Sequence, residues 1–392
     1  MASSQQKSTT VRTENAQGAQ STQDARNAPS GDGRPGGPSG DGGQSGQAGQ
    51  SAENIARFDS RERQAAWARP VFRVLERVAP GLGARIAWKL WTTPTRPNGT
   101  AVARSREGGM GEVRAVRVEL PDWTGRRPNR RDGSPKPPLS LAVTVELLGP
   151  EDGPIVYLLH GWGGWRGQFA PIGRRLAADG YRVVLIDAPN HGESGPGALG
   201  PDTTLLPDFS RALEAVIREI GPAYAVIGHS LGAACSATAL LDGVKAEKAV
   251  FIAPPIDPIA FTRALATMLG FGERIRTRMI RIGERRTGVE LASLVLPTRL
   301  AGKGHADRVA HAELPAALVV HDADDPVVPV AVGRILTRNW PGARIVETSG
   351  LGHNRILRDE AVVATVAEFI QEDADAHGVR QRCDVGGATV AS

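Results

Sequence analysis

From residue 154 onward the sequence alternates short, unbroken apolar runs with helix-compatible stretches, and turn residues bound each run. The runs fall at 155–159, 183–186, 225–227, 249–252, 318–320 and 345–346. Runs of two to five residues are too short for buried helices, and they lack the polar alternation of a half-exposed strand. They read as strands buried on both faces. Between them, Leu206, Phe209, Leu213, Val216 and Ile220 mark one helix by their spacing, and another runs roughly from Asp359 to Ile370. Strands and helices in strict alternation dictate an α/β architecture, a mostly parallel sheet with helices on both faces.

One interval interrupts the alternation. From Pro254 to Glu313 the sequence is helical and basic with no strand, and the next buried strand begins at Ala316. An insertion of that size between consecutive strands is expected to form a lid over the carboxyl ends of the strands. Upstream, the run from Val113 to Leu120 alternates, with Val116, Val118 and Leu120 on one face. Leu141 to Leu148 alternates too, and the region 129–133 is expected to form a long hairpin loop. Between Ile55 and Trp91 lies a helical stretch broken near Pro80-Gly81. Its apolar residues Val71, Phe72, Leu75, Val78, Leu82, Ile86, Leu90 and Trp91 recur at helical spacing. Two readings fit: an amphipathic segment that meets a membrane surface or a partner, and a helical arm packed on the main domain. The second is preferred, because the apolar face needs cover and a large domain follows.

Composition matters at the ends and for the class of protein. The first fifty residues contain no Leu, Ile, Phe, Trp or Tyr and are rich in Gly, Ser and Gln. Such a stretch cannot bury enough apolar area to offset its ordering entropy, so 1–55 is expected to be a disordered tail. The expected order is then a helical extension over 56–110, a main domain over 111–370 with its cap at about 254–313, and a flexible tail over 371–392. No apolar run reaches the length of a membrane span, and no apolar core stands behind a basic start as in a secretory signal. Cys235 and Cys383 are too few for a disulfide framework, and two free thiols suit a cytoplasmic protein. The formal net charge of +5 comes from scattered arginines, including Arg126, Arg127, Arg130, Arg131 and those between Arg274 and Arg286. No nucleic-acid module accompanies them, so no nucleic-acid partner is expected.

The chemistry centres on Gly228-His229-Ser230-Leu231-Gly232, which follows the run Ala225-Val226-Ile227 and opens a helix-compatible stretch to Leu241. A G-x-S-x-G in strand–turn–helix context holds the serine in a tight, strained turn at the edge of the sheet. Its flanking glycines admit the close approach of strand and helix. A serine hydroxyl needs a base. Of eight histidines, His353, on the glycine-bearing loop 349–353 before the last helix, is the choice. His160 and His191 precede the serine, and both sit in loops with other jobs. His229 lies inside the elbow, His321 reads as a core residue, His305 and His311 fall in the lid, and His377 falls in the tail. The acid should follow the strand 318–320, where Asp325 precedes Pro326 and can turn back over the sheet. Asp322 and Asp324 are expected to cap the turn or face solvent. Oxyanion donors are expected from the backbone N–H of Leu231 and, in the loop 159–164, from that of Trp162. Trp165, together with the indole of Trp162, and His229 are candidates for the wall of a substrate pocket.

The order Ser230, Asp325, His353, with 157–164 and 187–194 in their places, resembles the α/β-hydrolase superfamily, in its serine-nucleophile esterase and lipase-like branch. The resemblance covers about 140 to 370, and it implies that the loop bearing His191 is structural. It implies an eight-stranded, mostly parallel sheet with a helical cap after the sixth strand, and hydrolysis of a small-molecule ester or thioester through an acyl-enzyme. It requires neither a cofactor nor a metal. The long N-terminal region and the arginine-rich cap depart from the pattern. An acyltransferase or cofactor-free peroxidase on the same residues, an aminopeptidase or amidase, and a non-catalytic binding protein with this fold are the competing readings.

Overall fold

The computed structural model describes residues 12–14, 68–94, 111–120, 139–302 and 314–372. The expected hairpin loop at 129–133, the end of the cap interval at 303–313, and both tails except 12–14 and 371–372 lie outside these residues.

In chain order the elements are β1 (Arg12–Glu14), α1 (Ala68–Val78), α2 (Pro80–Thr92), β2 (Glu112–Leu120), β3 (Leu139–Leu148), β4 (Ile155–Leu159), α3 (Ala170–Ala178) and β5 (Arg182–Ile186). They continue as α4 (Leu206–Ile220), β6 (Ala225–His229), α5 (Leu231–Leu241), β7 (Lys248–Ile252), α6 (Pro258–Leu269), α7 (Glu273–Thr287) and α8 (Leu296–Leu300). The last are β8 (Ala316–Asp322), α9 (Val330–Asn339), β9 (Arg344–Thr348), α10 (Gly352–Arg355) and α11 (Glu360–Gln371). The sheet order is β1-β9-β8-β7-β6-β4-β5-β3-β2. From β5 to β9 every pairing is parallel, and β3 and β2 extend that edge antiparallel. β2 to β9 are the eight strands that the resemblance implies. A ninth is added by Arg12–Glu14, which pairs antiparallel with β9. This corrects the expectation for 1–55, since three residues of the expected tail belong to the sheet. The sheet edge at β9 offers unpaired backbone groups, which a polar segment can meet without any apolar side chain.

Alternate residues of each strand serve opposite faces. Val156, Leu158, Val183, Leu185 and Ile227 pack with Phe169, Ile172, Leu176, Phe369 and Ile370 under α3 and α11. Tyr157, Leu159, Val184, Ile186 and Val226 pack with Phe209, Leu213 and Val216 of α4 and Cys235 of α5. Ala249, Phe251 and Val319 meet Leu240, Leu336 and Trp340 on the same side. Full burial of each such side chain contributes about 1.5–3 kcal/mol, so the strands are held from both faces and their carboxyl ends are fixed.

After β7, Ala253 turns the chain at φ 49 into the insertion. The Asp257 side chain caps α6, accepting from the Ile259 and Ala260 amides. α6, α7 and α8 fill the described part of the insertion. Within the main domain, the helical extension packs chiefly on this insertion and not on the sheet. Ala68, Phe72, Ala84, Ala87 and Trp88 form one cluster with Leu269, Phe271, Ile275 and Met279. Trp88 lies over Gly283, where a β-carbon would come within 2.6 Å of the indole. Thr92 accepts the Thr204 amide at 2.9 Å through its carbonyl and ties α2 to the loop after β5. The sequence pattern does not show this, because each helix pair is one apolar stripe and nothing local says which other stripe it meets.

Candidate active site

Ser230 sits between β6 and α5 at φ 51, ψ −125. That backbone costs about 1–3 kcal/mol for a non-glycine residue and is held from outside the turn. The Ser230 amide donates to the Ile252 carbonyl at 2.8 Å, and its own carbonyl accepts the Ala233 amide at 2.9 Å. The flanking glycines are required by contact. A β-carbon at position 232 would lie 2.1 Å from the Leu159 carbonyl oxygen, and one at position 228 would lie 2.5 Å from Ala233 Cα.

The structure brings Ser230, His353 and Asp325 together from three loops. His353 Nε2 is 2.9 Å from Ser230 Oγ, and His353 Nδ1 is 2.7 Å from Asp325 Oδ2. An ionised carboxylate only accepts, so Nδ1 carries the proton and Nε2 is left to accept from the serine hydroxyl. The other oxygen, Asp325 Oδ1, accepts the Val327 and Val328 amides at 2.7 and 3.0 Å. Burial alone would raise the Asp325 carboxyl. The hydrogen bond and charge of His353 and the two amides outweigh it and hold the group below its usual range.

The neighbouring acids tie the two loops together. Buried Asp322 accepts from Thr348 Oγ1 at 2.7 Å, from the Leu351 amide at 3.0 Å and from the Asp324 amide at 3.0 Å. Asp324 accepts the Gly350 amide at 2.9 Å. Asp322 therefore spans the acid and histidine loops instead of facing solvent. His321, in the core, donates from Nε2 to the Val328 carbonyl at 2.8 Å and lies 3.7 Å from Asp325 Oδ2.

The loop 159–164 crosses the serine. A β-carbon on Gly161 would lie 2.9 Å from Ser230 Cβ, so Trp162 is the next residue after the closest approach. Leu231 opens α5, at the helix end that favours negative charge. Among the described residues neither the Trp162 nor the Leu231 N–H has a hydrogen-bond acceptor. Both are backbone donors beside Ser230 that the fold leaves unused.

The loop is pinned by two buried imidazoles. His160 donates from Nδ1 to the Gly161 carbonyl at 2.7 Å and accepts the Ala188 amide at 3.0 Å. His191 donates to the Pro189 carbonyl and accepts the Gly163 amide, both at 3.0 Å. Burial lowers His160 to about 4 and His191 to about 3, so both stay neutral. Trp162 packs edge-on against His191.

The other two pocket-wall candidates, His229 and Trp165, are placed differently. His229 is buried, and its Nε2 donates to the His353 carbonyl at 2.8 Å. Burial, helped by neighbouring His353, lowers it to about 3. It supports the histidine loop through this bond and through its ring, which packs against that of His353 at 4.8 Å between centroids. Trp165 is buried at the head of a 3-10 turn (Arg166–Phe169), and no ring contact or hydrogen bond joins it to Ser230 or His353 among the described residues.

Sequence reasoning missed the largest polar feature near the site. Arg166 is buried and binds Asp187 Oδ2 at 2.5 Å, Glu193 Oε2 at 2.5 Å and Glu146 Oε2 at 3.1 Å. Asp187 also accepts the Arg166 and Glu193 amides. Burial raises the Asp187 carboxyl against the pull of Arg166. One arginine thus joins the Trp162 loop to β3 and to the loop after β5. A lone arginine inside the apolar, glycine-rich stretch 161–169 was the available signal. Among the described residues no group of His, Cys, Asp and Glu is arranged to hold a metal ion.

Comparison with known proteins sets this geometry in context. A sequence profile of the alpha/beta hydrolase family matches residues 156–365. A 90-residue stretch is 39% identical to pimeloyl-(acyl-carrier protein) methyl ester esterase of Xanthomonas campestris pv. campestris (strain B100), covering 22% of this chain and 31% of that protein. Another match, 31% identical over 106 residues, is the dihydrolipoyllysine-residue acetyltransferase component of the acetoin cleaving system of Cupriavidus necator, with 26% of each chain covered. The chain thus spans less than a third of either curated relative. Among solved structures, the esterase RhEst1 from Rhodococcus sp. ECU1013 is 19% identical, with TM-score 0.44, over 66% of this chain and 98% of that one. A Pyrococcus furiosus esterase is 17% identical, with TM-score 0.46, over 71% and 98%.

Proposed function

The chain belongs to the alpha/beta hydrolase family, and we propose that it is a serine-dependent hydrolase that cleaves a carboxylic ester or thioester through an acyl-enzyme. The observation that carries this reading is the continuous line from Ser230 Oγ through His353 to Asp325 at 2.9 and 2.7 Å. The stretch that is similar to a methyl ester esterase supports the choice of an ester.

In this reading Ser230 Oγ attacks the substrate carbonyl while its proton passes to His353 Nε2. The imidazolium that forms keeps its Nδ1 proton and donates it in a hydrogen bond to the Asp325 carboxylate, which fixes the tautomer and stabilises the charge. Negative charge gathers on the former carbonyl oxygen, where the Trp162 and Leu231 N–H groups are the donors. The tetrahedral species collapses, the C–O or C–S bond to the leaving group breaks, and His353 returns its proton to that group. Water then repeats the sequence on the acyl-enzyme, with His353 taking its proton, and releases the acid. Nothing in this cycle calls on a metal or cofactor.

The test is turnover of p-nitrophenyl esters of graded chain length by wild type and Ser230→Ala, with added alcohol, thiol or peroxide as competing acceptors. Turnover lost in the variant supports the reading, and partition to an added acceptor separates acyl transfer from hydrolysis. Folded wild type that turns over no ester contradicts it.

A further inference from the structure

α1 and α2 carry two apolar faces, and the fold uses only one. The inner face, with Phe72, Ala84, Ala87 and Trp88, is buried against α6 and α7. On the outside, Val71, Val74 and Val78 follow one another at i, i+3, i+7, and Leu82, Ile86 and Leu90 at i, i+4, i+8. These six are 38–74% exposed and make up six of the nine exposed large apolar residues among those described. Scattered exposed aliphatics need no explanation, but a row concentrated in twenty residues does.

The charges beside this row have one sign. Arg73, Arg77, Arg85 and Lys89 are all exposed, and at 100° per residue they fall on the flank of the apolar row. Among the described residues Arg73, Arg77 and Arg85 have no acidic partner, while Lys89 lies 3.8 Å from exposed Asp202. The one acid of the two helices, Glu76, is occupied, since its carboxylate accepts the Gly272, Arg274 and Ile275 amides at the start of α7. α7 itself adds exposed Arg274, Arg278, Arg281, Arg285 and Arg286.

We infer that this apolar row and its basic flanks form a docking surface for an anionic lipid bilayer, on which α1 and α2 lie flat and hold the cap against the membrane. Aliphatic side chains entering the boundary between headgroups and acyl chains, with arginine and lysine at the headgroups, are what such a surface binds. A second copy of the chain fits poorly, because two such faces would bring basic flank against basic flank. A protein partner would be expected to find an aromatic anchor, yet Trp88 is turned into the cap cluster. The helices lie on the surface and do not span it: no described helix is long and apolar enough to cross a membrane. The inference does not depend on the chemistry at Ser230.

The experiment is co-sedimentation of the full chain with phosphatidylcholine vesicles, with and without phosphatidylglycerol, for wild type and for two triple variants. Val74→Ser/Leu82→Ser/Leu90→Ser removes the row, and Arg73→Gln/Arg77→Gln/Arg85→Gln removes the flank. All six positions are exposed, so circular dichroism and thermal midpoint should match wild type. Wild type should partition onto anionic vesicles and not onto neutral ones, and each variant should lose about tenfold or more. Binding should fall as salt rises from about 0.1 M to about 1 M, because the screening length shrinks from about 10 Å to about 3 Å. Wild type that stays with the supernatant, or variants that bind as wild type does, overturns the proposal. So does a wild-type dimer that the serine variant converts to monomer, which would assign the row to a second copy.

Discussion

Asp325→Asn separates the chemical role of this residue from its structural one. The carboxylate serves three donors: Oδ1 accepts the Val327 and Val328 amides, and Oδ2 accepts His353 Nδ1–H. A carboxamide has one accepting oxygen and one donating nitrogen. If the nitrogen faced the two amides, two N–H groups near the core would lose their acceptor, at about 1–3 kcal/mol each. The oxygen therefore stays on the amides, and the NH2 group turns to His353. It donates to Nδ1, which moves the imidazole proton to Nε2, so that nitrogen now points a proton at Ser230 Oγ and cannot accept one. The expected result is a fall in kcat of about 10³–10⁴, or about 4–5.5 kcal/mol. KM should stay nearly unchanged, and stability should drop by no more than about 1 kcal/mol. Steady-state kinetics on a p-nitrophenyl ester and a thermal melt measure both. A folded variant whose kcat stays within tenfold of wild type would refute the orienting role.

Three further outcomes follow from specific contacts. Gly232→Ala places a β-carbon 2.1 Å from the Leu159 carbonyl, so the elbow and the Trp162 loop must part. A folded protein about 1–3 kcal/mol less stable and at least a hundredfold less active is expected, and wild-type kinetics would contradict it. Buried Asp208, raised by desolvation to about 7 against the Leu205 and Ala198 amides, stabilises fully below its unfolded value near 3.8 and loses that contribution as pH rises to about 7. Asp208→Asn removes this loss, so denaturant melts should show the variant gaining about 2–3 kcal/mol on wild type between pH 5 and pH 7; a gap independent of pH would sink the argument. Arg166→Gln leaves Glu146, Asp187 and Glu193 without their shared cation and should cost about 3–5 kcal/mol by chemical denaturation, whereas a loss under about 1 kcal/mol would mean that the network is dispensable.

Most of the frame was legible because it is written locally. Buried strands announce themselves as apolar runs, and the elbow glycines are dictated by contacts a few residues away. His160 was readable as a loop residue from its place beside the Trp162 donor, whereas the structural role of the loop that bears His191 came from the resemblance. What escaped was decided by distant contacts. Arg12–Glu14 joins the sheet through backbone alone, so no side-chain pattern marks it. α1 and α2 needed cover, but only the assembled chain shows that the insertion supplies it. His229 ends β6 inside the elbow, and its partner there, the His353 carbonyl, lies more than a hundred residues on. Arg166 carries no local mark of burial, because the three carboxylates around it come from two other segments, β3 and the loop after β5.

The most direct measurement is intact-mass and peptide mapping of wild type and Ser230→Ala after a fluorophosphonate probe and, separately, after a rapidly quenched p-nitrophenyl ester. A single phosphonyl adduct and a transient acyl adduct, both on the peptide that carries Ser230 and both missing from the variant, are the predicted result. Ester turnover by a wild type that never carries either adduct at Ser230, or adducts that persist in Ser230→Ala, would contradict it.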